Sequence, residues 1–164
     1  MPDDWTEIVG RHAGLVVGAV RKIVGNAHDT EDVVQEVFAE ASALARRTRV
    51  RNWAGLLQRL ATLRAIDFLR ARSRAPLVTS PSGDVSRFRS AAPEPHEEFA
   101  ATELADRLRV ELGSLPAVQA RVFALRYFDE MSYEQIAAEL DLTVNAVGLA
   151  LHKARRRLQA AFDE

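Results

Sequence analysis

The chain contains no cysteine, which excludes disulfides, thiolate metal sites and redox thiols. Its four histidines, at positions 12, 28, 96 and 152, show no metal-ligand spacing along the sequence. No stretch approaches the ~20 uninterrupted apolar residues that a membrane-spanning helix needs. The start, Met1-Pro-Asp-Asp-Trp5, lacks the basic region and apolar run of a leader peptide. A cytoplasmic protein without a membrane segment is expected. Glycine-rich phosphate loops and nucleophile motifs are also missing, so neither an enzyme nor a cofactor is expected. Period-two alternation is absent too, which points to an all-α fold.

Net charge is equally scarce, with 22 basic residues against 23 acidic ones. The average conceals a division. Residues 1–43 hold three basic residues, Arg11, Arg21 and Lys22, against eight acids, whereas residues 44–74 hold nine arginines against Asp67 alone. An acidic segment therefore adjoins one able to neutralise phosphates.

Helical periodicity organises what remains. Trp5, Ile8, Val9, His12, Leu15, Val16, Ala19 and Ile23 form one face of a helix over 4–24 that Gly25-Asn26 stops. A second helix is predicted from Asp29 to about Arg46, with Val33, Val34, Val37, Phe38, Ala41 and Leu44 inward and Asp32, Gln35 and Glu36 on the opposite face. A third covers Trp53 to Arg72, with Leu56, Leu57, Leu60, Leu63 and Phe68 inward and Arg59, Thr62 and Arg70 outward. Pro76, Pro81, Pro93 and Pro95, with Ser and Gly between them, mark a flexible linker. Two small helical domains are expected, over 1–74 and 97–164, with the linker at 75–96. The second domain opens with a helix over 97–112 carrying Phe99, Leu104, Leu108 and Leu112, followed by one from Pro116 to Phe128.

The last part spells a helix-turn-helix, a DNA-binding motif. Ser132 with Gln135 three residues on is a capping box. Ile136, Ala137 and Leu140 face inward, Asp141 takes a turn position that favours left-handed backbone, and Thr143 caps the next helix. Val147, Leu151, Ala154 and Leu158 form its buried stripe. The outward stripe holds Asn145, Leu149, His152, Lys153 and Arg156, flanked by Gly148 and Arg155, a set suited to base edges and phosphates. An ordinary solvated helix face would carry similar residues.

Two motifs carry a resemblance. Asp29-Thr-Glu-Asp-Val-Val-Gln-Glu-Val-Phe38 is similar to the acidic helix of the extracytoplasmic-function class of bacterial RNA polymerase sigma factors, and Leu115-Pro, Arg121, Val122, Phe123, Leu125-Arg-Tyr and Ser132-Tyr-Glu-Gln-Ile-Ala resemble that class's C-terminal DNA-binding domain. The resemblance implies that Asp29, Glu31, Asp32, Gln35 and Glu36 meet the beta-prime clamp of core RNA polymerase, with the beta flap as a further contact. For the minus-ten promoter element it implies Arg47, Arg49, Arg51 and Asn52, in the loop where the family captures a flipped base. Trp53 as a base platform and Arg59, Arg64 and Arg70 complete that set. For the minus-thirty-five element it implies Ser132, Tyr133, Thr143, Asn145, Gly148, Leu149, His152, Lys153, Arg155 and Arg156. An anti-sigma protein is the regulator it implies. Asp67 and Arg70 match the family's D-x-x-R, where an i,i+3 ion pair would support the helix.

Departures from the family pattern are specific. Leu63 stands for the common Asn, Leu56-Leu57 for Trp-Leu, and Ala146, Gly148 and Ala150 for threonine, lysine and arginine of the recognition helix. Two other readings stay open at this point. A polymerase-independent helix-turn-helix regulator would bind duplex DNA by itself, and a polymerase-binding adaptor would bind polymerase without selecting promoters.

Overall fold

A computed structural model describes residues 4–74 and 96–163, with side chains in the second stretch from residue 102 onward. The described residues form seven helices and no strand: α1 (Trp5–Val24), α2 (Ala27–Arg47), α3 (Trp53–Arg74), α4 (His96–Ser114), α5 (Ala117–Tyr127), α6 (Tyr133–Leu140) and α7 (Val144–Phe162). The expected linker, residues 75–95 in particular, lies outside the described residues, as does the side chain of Phe99. Contacts within the chain divide it into two units, Met1–Ala65 and Ile66–Glu164, with the division falling within α3.

In the first unit, the Asp4 side chain caps α1 by accepting from the Thr6 amide, and Gly25 ends the helix in left-handed backbone. Asn26 does not merely stop α1. It is the cap of α2, which therefore starts two residues before the Asp29 expected from the sequence. α1 packs on α2. Val16, Val20, Ile23 and Val24 of α1, Val33, Val37 and Ala41 of α2, and Leu57, Leu60 and Ala61 of α3 are buried. Each such side chain contributes about 1.5–3 kcal/mol when fully withdrawn from water.

Two inward and outward assignments differ from the periodic reading. Leu15 is 40% exposed, because the helix phase that buries Val16, Val20 and Val24 turns it to solvent. Thr62, expected outward, is fully buried between Ala61 and Leu63, so α3 buries a broader arc than a single stripe.

The second unit gathers residues 66–74 of α3 with α4 to α7. α5 and α6 both pack on α7, and α4 also touches it. Leu112, Leu115, Ala120, Val122, Leu125, Ile136, Val147 and Leu151 are its buried centre. The Arg107 guanidinium of α4 lies 4.8 Å above the Phe162 ring of α7. Gly113 is the point of closest approach, since a Cβ there would stand 2.7 Å from the Leu69 carbonyl oxygen. The backbone of α3 leaves no room for a methyl group.

Gly113→Ala is accordingly expected to lose about 1–3 kcal/mol through overpacking. Thermal denaturation against Ser114→Ala, at an exposed neighbouring position, will check it: the glycine variant should melt several degrees lower and the serine variant close to wild type.

Candidate polymerase and nucleic-acid interfaces

On α2 the acidic face is partly available and partly spent. Glu31, Asp32, Gln35 and Glu36 are exposed, whereas Asp29 is 6% exposed. The Asn26 Oδ1 accepts from the Asp29 amide at 2.9 Å, and the Asn26 Nδ2 donates to the Asp29 Oδ2 at 2.8 Å. Thr30 adds its hydroxyl, donating to the Asn26 carbonyl at 2.5 Å. Asp29, expected among the polymerase-facing residues, is therefore a fastener of the α1–α2 corner. His28, Asp29 and Asp32 place one ligand-type atom each within 4.8 Å of one another. Within that cluster the Asp29 Oδ2 is already engaged with Asn26.

The loop between α2 and α3 borders a cavity of about 760 Å³ lined by Trp5, Ile8, Ser42, Ala45, Arg46, Thr48, Arg49, Val50, Arg51 and Trp53. Trp5 meets Phe38 edge-on at 6.1 Å between ring centroids and Trp53 at 5.8 Å. Aromatic surface and guanidinium charge thus converge on one opening. Arg49, Arg51 and Trp53 were expected there. Trp5 and Arg46 were not, because Trp5 is distant in sequence and Arg46 reads as the end of a helix. Arg47 is exposed beside the cavity without lining it.

Other members of the expected minus-ten set have structural duties. Asn52 caps α3, its Oδ1 accepting from the Gly55 amide at 3.0 Å. Arg64 forms a two-point ion pair with Glu40, at 2.6 Å and 3.1 Å, joining α3 to α2. Arg59 is half-buried along the same helix. Arg70 donates from Nε to the Leu115 carbonyl at 2.9 Å. Burial lowers the Arg70 pKa from its ordinary value; Arg74 and Arg121 act in the same sense and Asp67 opposes them. Asp67 accepts two hydrogen bonds from Arg121, both at 3.1 Å, so the D-x-x-R pair serves packing within the second unit.

The helix-turn-helix is built as its sequence suggests. Ser132 Oγ accepts from the Gln135 amide at 3.1 Å, and Gln135 Oε1 accepts from the Ser132 amide at 2.9 Å. Asp141 has φ 56°, in the left-handed region. Thr143 Oγ1 accepts from the Ala146 amide at 3.0 Å and starts α7. Both hydroxyls are thereby engaged locally. Tyr133 is half-buried beneath the Arg126 guanidinium, 5.4 Å from its ring, and Arg126 also donates to the Met131 carbonyl at 2.9 Å. Asn145, Leu149, His152, Lys153, Arg155 and Arg156 are all exposed on α7, with Val144 beside them. Arg155 is drawn toward α5, donating from Nε to the Tyr127 hydroxyl at 2.6 Å and lying over its ring. Arg126 and Tyr127 stand in the Leu125-Arg-Tyr motif of the sequence, but no role is legible for them there, since their roles depend on partners supplied by the fold.

Sigma-70 region 2 matches residues 8–75, and sigma-70 region 4 matches residues 105–158. The class so defined is one of transcription initiation factors rather than enzymes. The ECF RNA polymerase sigma factor SigE of Mycolicibacterium smegmatis is 29% identical over 94% of this chain and 60% of its own length. SigW of Bacillus subtilis is 26% identical over 96% of this chain and 88% of its own, and SigD of Mycobacterium tuberculosis is 31% identical over 93% and 70%. Among solved structures, CnrH in complex with the cytosolic domain of CnrY superposes with a TM-score of 0.56 at 27% identity, covering 97% of this chain and 87% of that one. The chain belongs to the extracytoplasmic-function family of sigma-70 RNA polymerase sigma factors. No described helix is long and apolar enough to cross a membrane.

Asn26→Ala and Asp29→Ala are each expected to lose about 1–3 kcal/mol of stability, through the lost cap and the orphaned buried partner. Glu36→Ala should stay within about 0.5 kcal/mol of wild type. Chemical denaturation of the three variants will check the contrast.

Proposed function

We propose that this chain is a dissociable promoter-specificity subunit of bacterial RNA polymerase, acting in the cytoplasm as a binding factor and not as an enzyme. The exposed Glu31, Asp32, Gln35 and Glu36 of α2 present carboxylates and an amide that the core does not use, a surface suited to a basic helical partner such as the beta-prime clamp. The cavity bordered by Trp5, Trp53, Arg46, Arg49 and Arg51 has room for an unstacked base and the chemistry to hold it, with guanidiniums for its neighbouring phosphates. Opening the minus-ten duplex costs unstacking energy, and a prepared aromatic cavity recovers part of it. The α7 face serves the minus-thirty-five element in duplex DNA, and the beta flap holds the second unit on the enzyme.

The observation that carries this reading is the pairing on one chain of an exposed acidic helix with an open recognition helix. Two weak modules reach useful affinity only when the polymerase fixes their spacing. Free protein should therefore bind promoter DNA poorly, which separates this reading from that of a self-sufficient helix-turn-helix regulator. Asp29, Asn52, Arg64, Arg70, Ser132 and Thr143 support the site rather than touch partners. An anti-sigma protein is the expected regulator, as CnrY is the partner of CnrH in that complex.

Transcription in vitro from a promoter library, with core polymerase in the presence and absence of the protein, tests the assignment. New starts sharing two spaced elements are the expected result; polymerase binding without new starts would favour an adaptor. Joint Asp32→Ala and Gln35→Ala substitution should weaken polymerase binding about tenfold or more, equal to roughly 1.4 kcal/mol, in fluorescence anisotropy titrations. Trp53→Ala should slow open-complex formation, read by permanganate footprinting of unpaired thymines, while leaving polymerase affinity within about twofold, a difference below roughly 0.5 kcal/mol.

A further inference from the structure

The first two turns of α7 expose a surface that is poor in charge. Val144 is 44% and Leu149 53% exposed, and Asn145 is exposed between them in sequence. No lysine or arginine occurs in α7 before Lys153. At 1.5 Å per residue Lys153 lies about 14 Å along the axis from Val144, more than the ~12 Å width of a major groove. The N-terminal residues of a recognition helix are those that reach base edges. The cations of α7 are therefore placed for phosphates, and the groups placed for bases are Val144, Asn145, Gly148 and Leu149, with His152 one turn further on.

Gly148 adds a second observation. It lies four residues from Val144 and His152 and three from Asn145, and Leu149 lies four from Asn145 and three from His152, so the five share one broad helix face. A Cβ at Gly148 would meet only the Tyr133 ring, at 3.5 Å and 4.0 Å, which is ordinary van der Waals contact. The protein would accept alanine there, and alanine is the better helix former. The absent Cβ relieves no clash among the described residues. Between the exposed Val144 and Leu149, a residue without a side chain allows close approach of the helix backbone to a partner.

Resting on the sigma-factor reading above, we infer that α7 reads its upstream element through thymine methyl groups and an adenine edge instead of through guanine. Leu149 and Val144 supply the apolar contact that the thymine C5-methyl requires, and Asn145 has the paired donor and acceptor that match adenine N7 and N6. Guanine presents two acceptors, O6 and N7, for which arginine or lysine is the common reader, and neither is available in these turns. Gly148, with no side chain, lets the helix backbone approach the bases closely. Duplex DNA is the partner of this face, because Lys153, Arg156 and Arg157 continue the same helix as exposed cations and a polyanion complements them. The centre of the upstream element is accordingly A·T-rich.

The test uses the whole protein with core polymerase on the strongest promoter recovered from the library. Each upstream thymine is replaced singly by deoxyuridine, which removes the methyl group alone, and initial transcription rates are compared for wild type, Leu149→Ala and Gly148→Val. For wild type, one or two deoxyuridine substitutions should lower the rate about three- to tenfold. With Leu149→Ala the same substitutions should change it less than twofold, because the contact is already gone. Gly148→Val should lose upstream-dependent transcription while its melting temperature stays near wild type. A guanine-rich centre, or wild-type rates indifferent to every deoxyuridine, would overturn the inference while leaving the sigma-factor reading intact. Absence of any new start from the library would overturn the sigma-factor reading itself, and with it the inference.

Discussion

The unpaired amide groups at the start of each helix are the constraint on which the rest of this structure depends. The first turn of a helix has four N–H groups with no partner inside the helix, and in this chain short polar side chains meet them at Asp4, Asn26, Asn52, Ser132 and Thr143. Each cap sets the residue at which its helix begins. Because successive residues turn by about 100°, the starting residue also fixes which side chains meet the core and which meet solvent. The acidic face of α2 and the open face of α7 are both set in phase by Asn26 and Thr143 in this way. Asp29 shows the cost of being close to such a point, since proximity to Asn26 converts a carboxylate from a surface charge into part of the corner.

Much of the architecture was legible because helical periodicity and caps are local signals. The extents of α1 and α3, the capping box at Ser132, the left-handed Asp141 and the stripe Val147, Leu151, Ala154 and Leu158 all follow from residues within a few positions of one another. The misassigned positions have a different origin. Leu15 is apolar yet exposed, since the phase that buries Val16, Val20 and Val24 turns it to solvent, and Thr62 is polar yet buried, since the arc that α3 buries depends on what packs against it from elsewhere in the sequence. The duties of Arg64, Asp67 and Arg70 were illegible for the same reason. Glu40, Arg121 and Leu115 are 24, 54 and 45 residues away from them in sequence, and nothing local announces such partners.

The arginines consequently separate into two populations that composition alone merges. Arg64, Arg70 and Arg121 are held by a carboxylate or a carbonyl and help bind helices together. Arg46, Arg47, Arg49 and Arg51 lie exposed at the end of α2 and in the loop that follows. A basic segment is thus only partly a binding surface. Exposed charge gathers beside the aromatic cavity at Arg46, Arg47, Arg49 and Arg51, while Arg64 and Arg70 of α3 are engaged in packing. The same economy appears on α7, where Arg155 is drawn onto Tyr127 and Lys153 and Arg156 are not.

The two tryptophans of the chain, Trp5 and Trp53, both border that cavity and stand edge to face with each other. All indole absorption and emission of the protein therefore originates at a single place, 5.8 Å across between ring centres. A molecule entering the cavity alters the surroundings of every indole at once. The chain carries an internal optical gauge of this opening, readable without any attached dye.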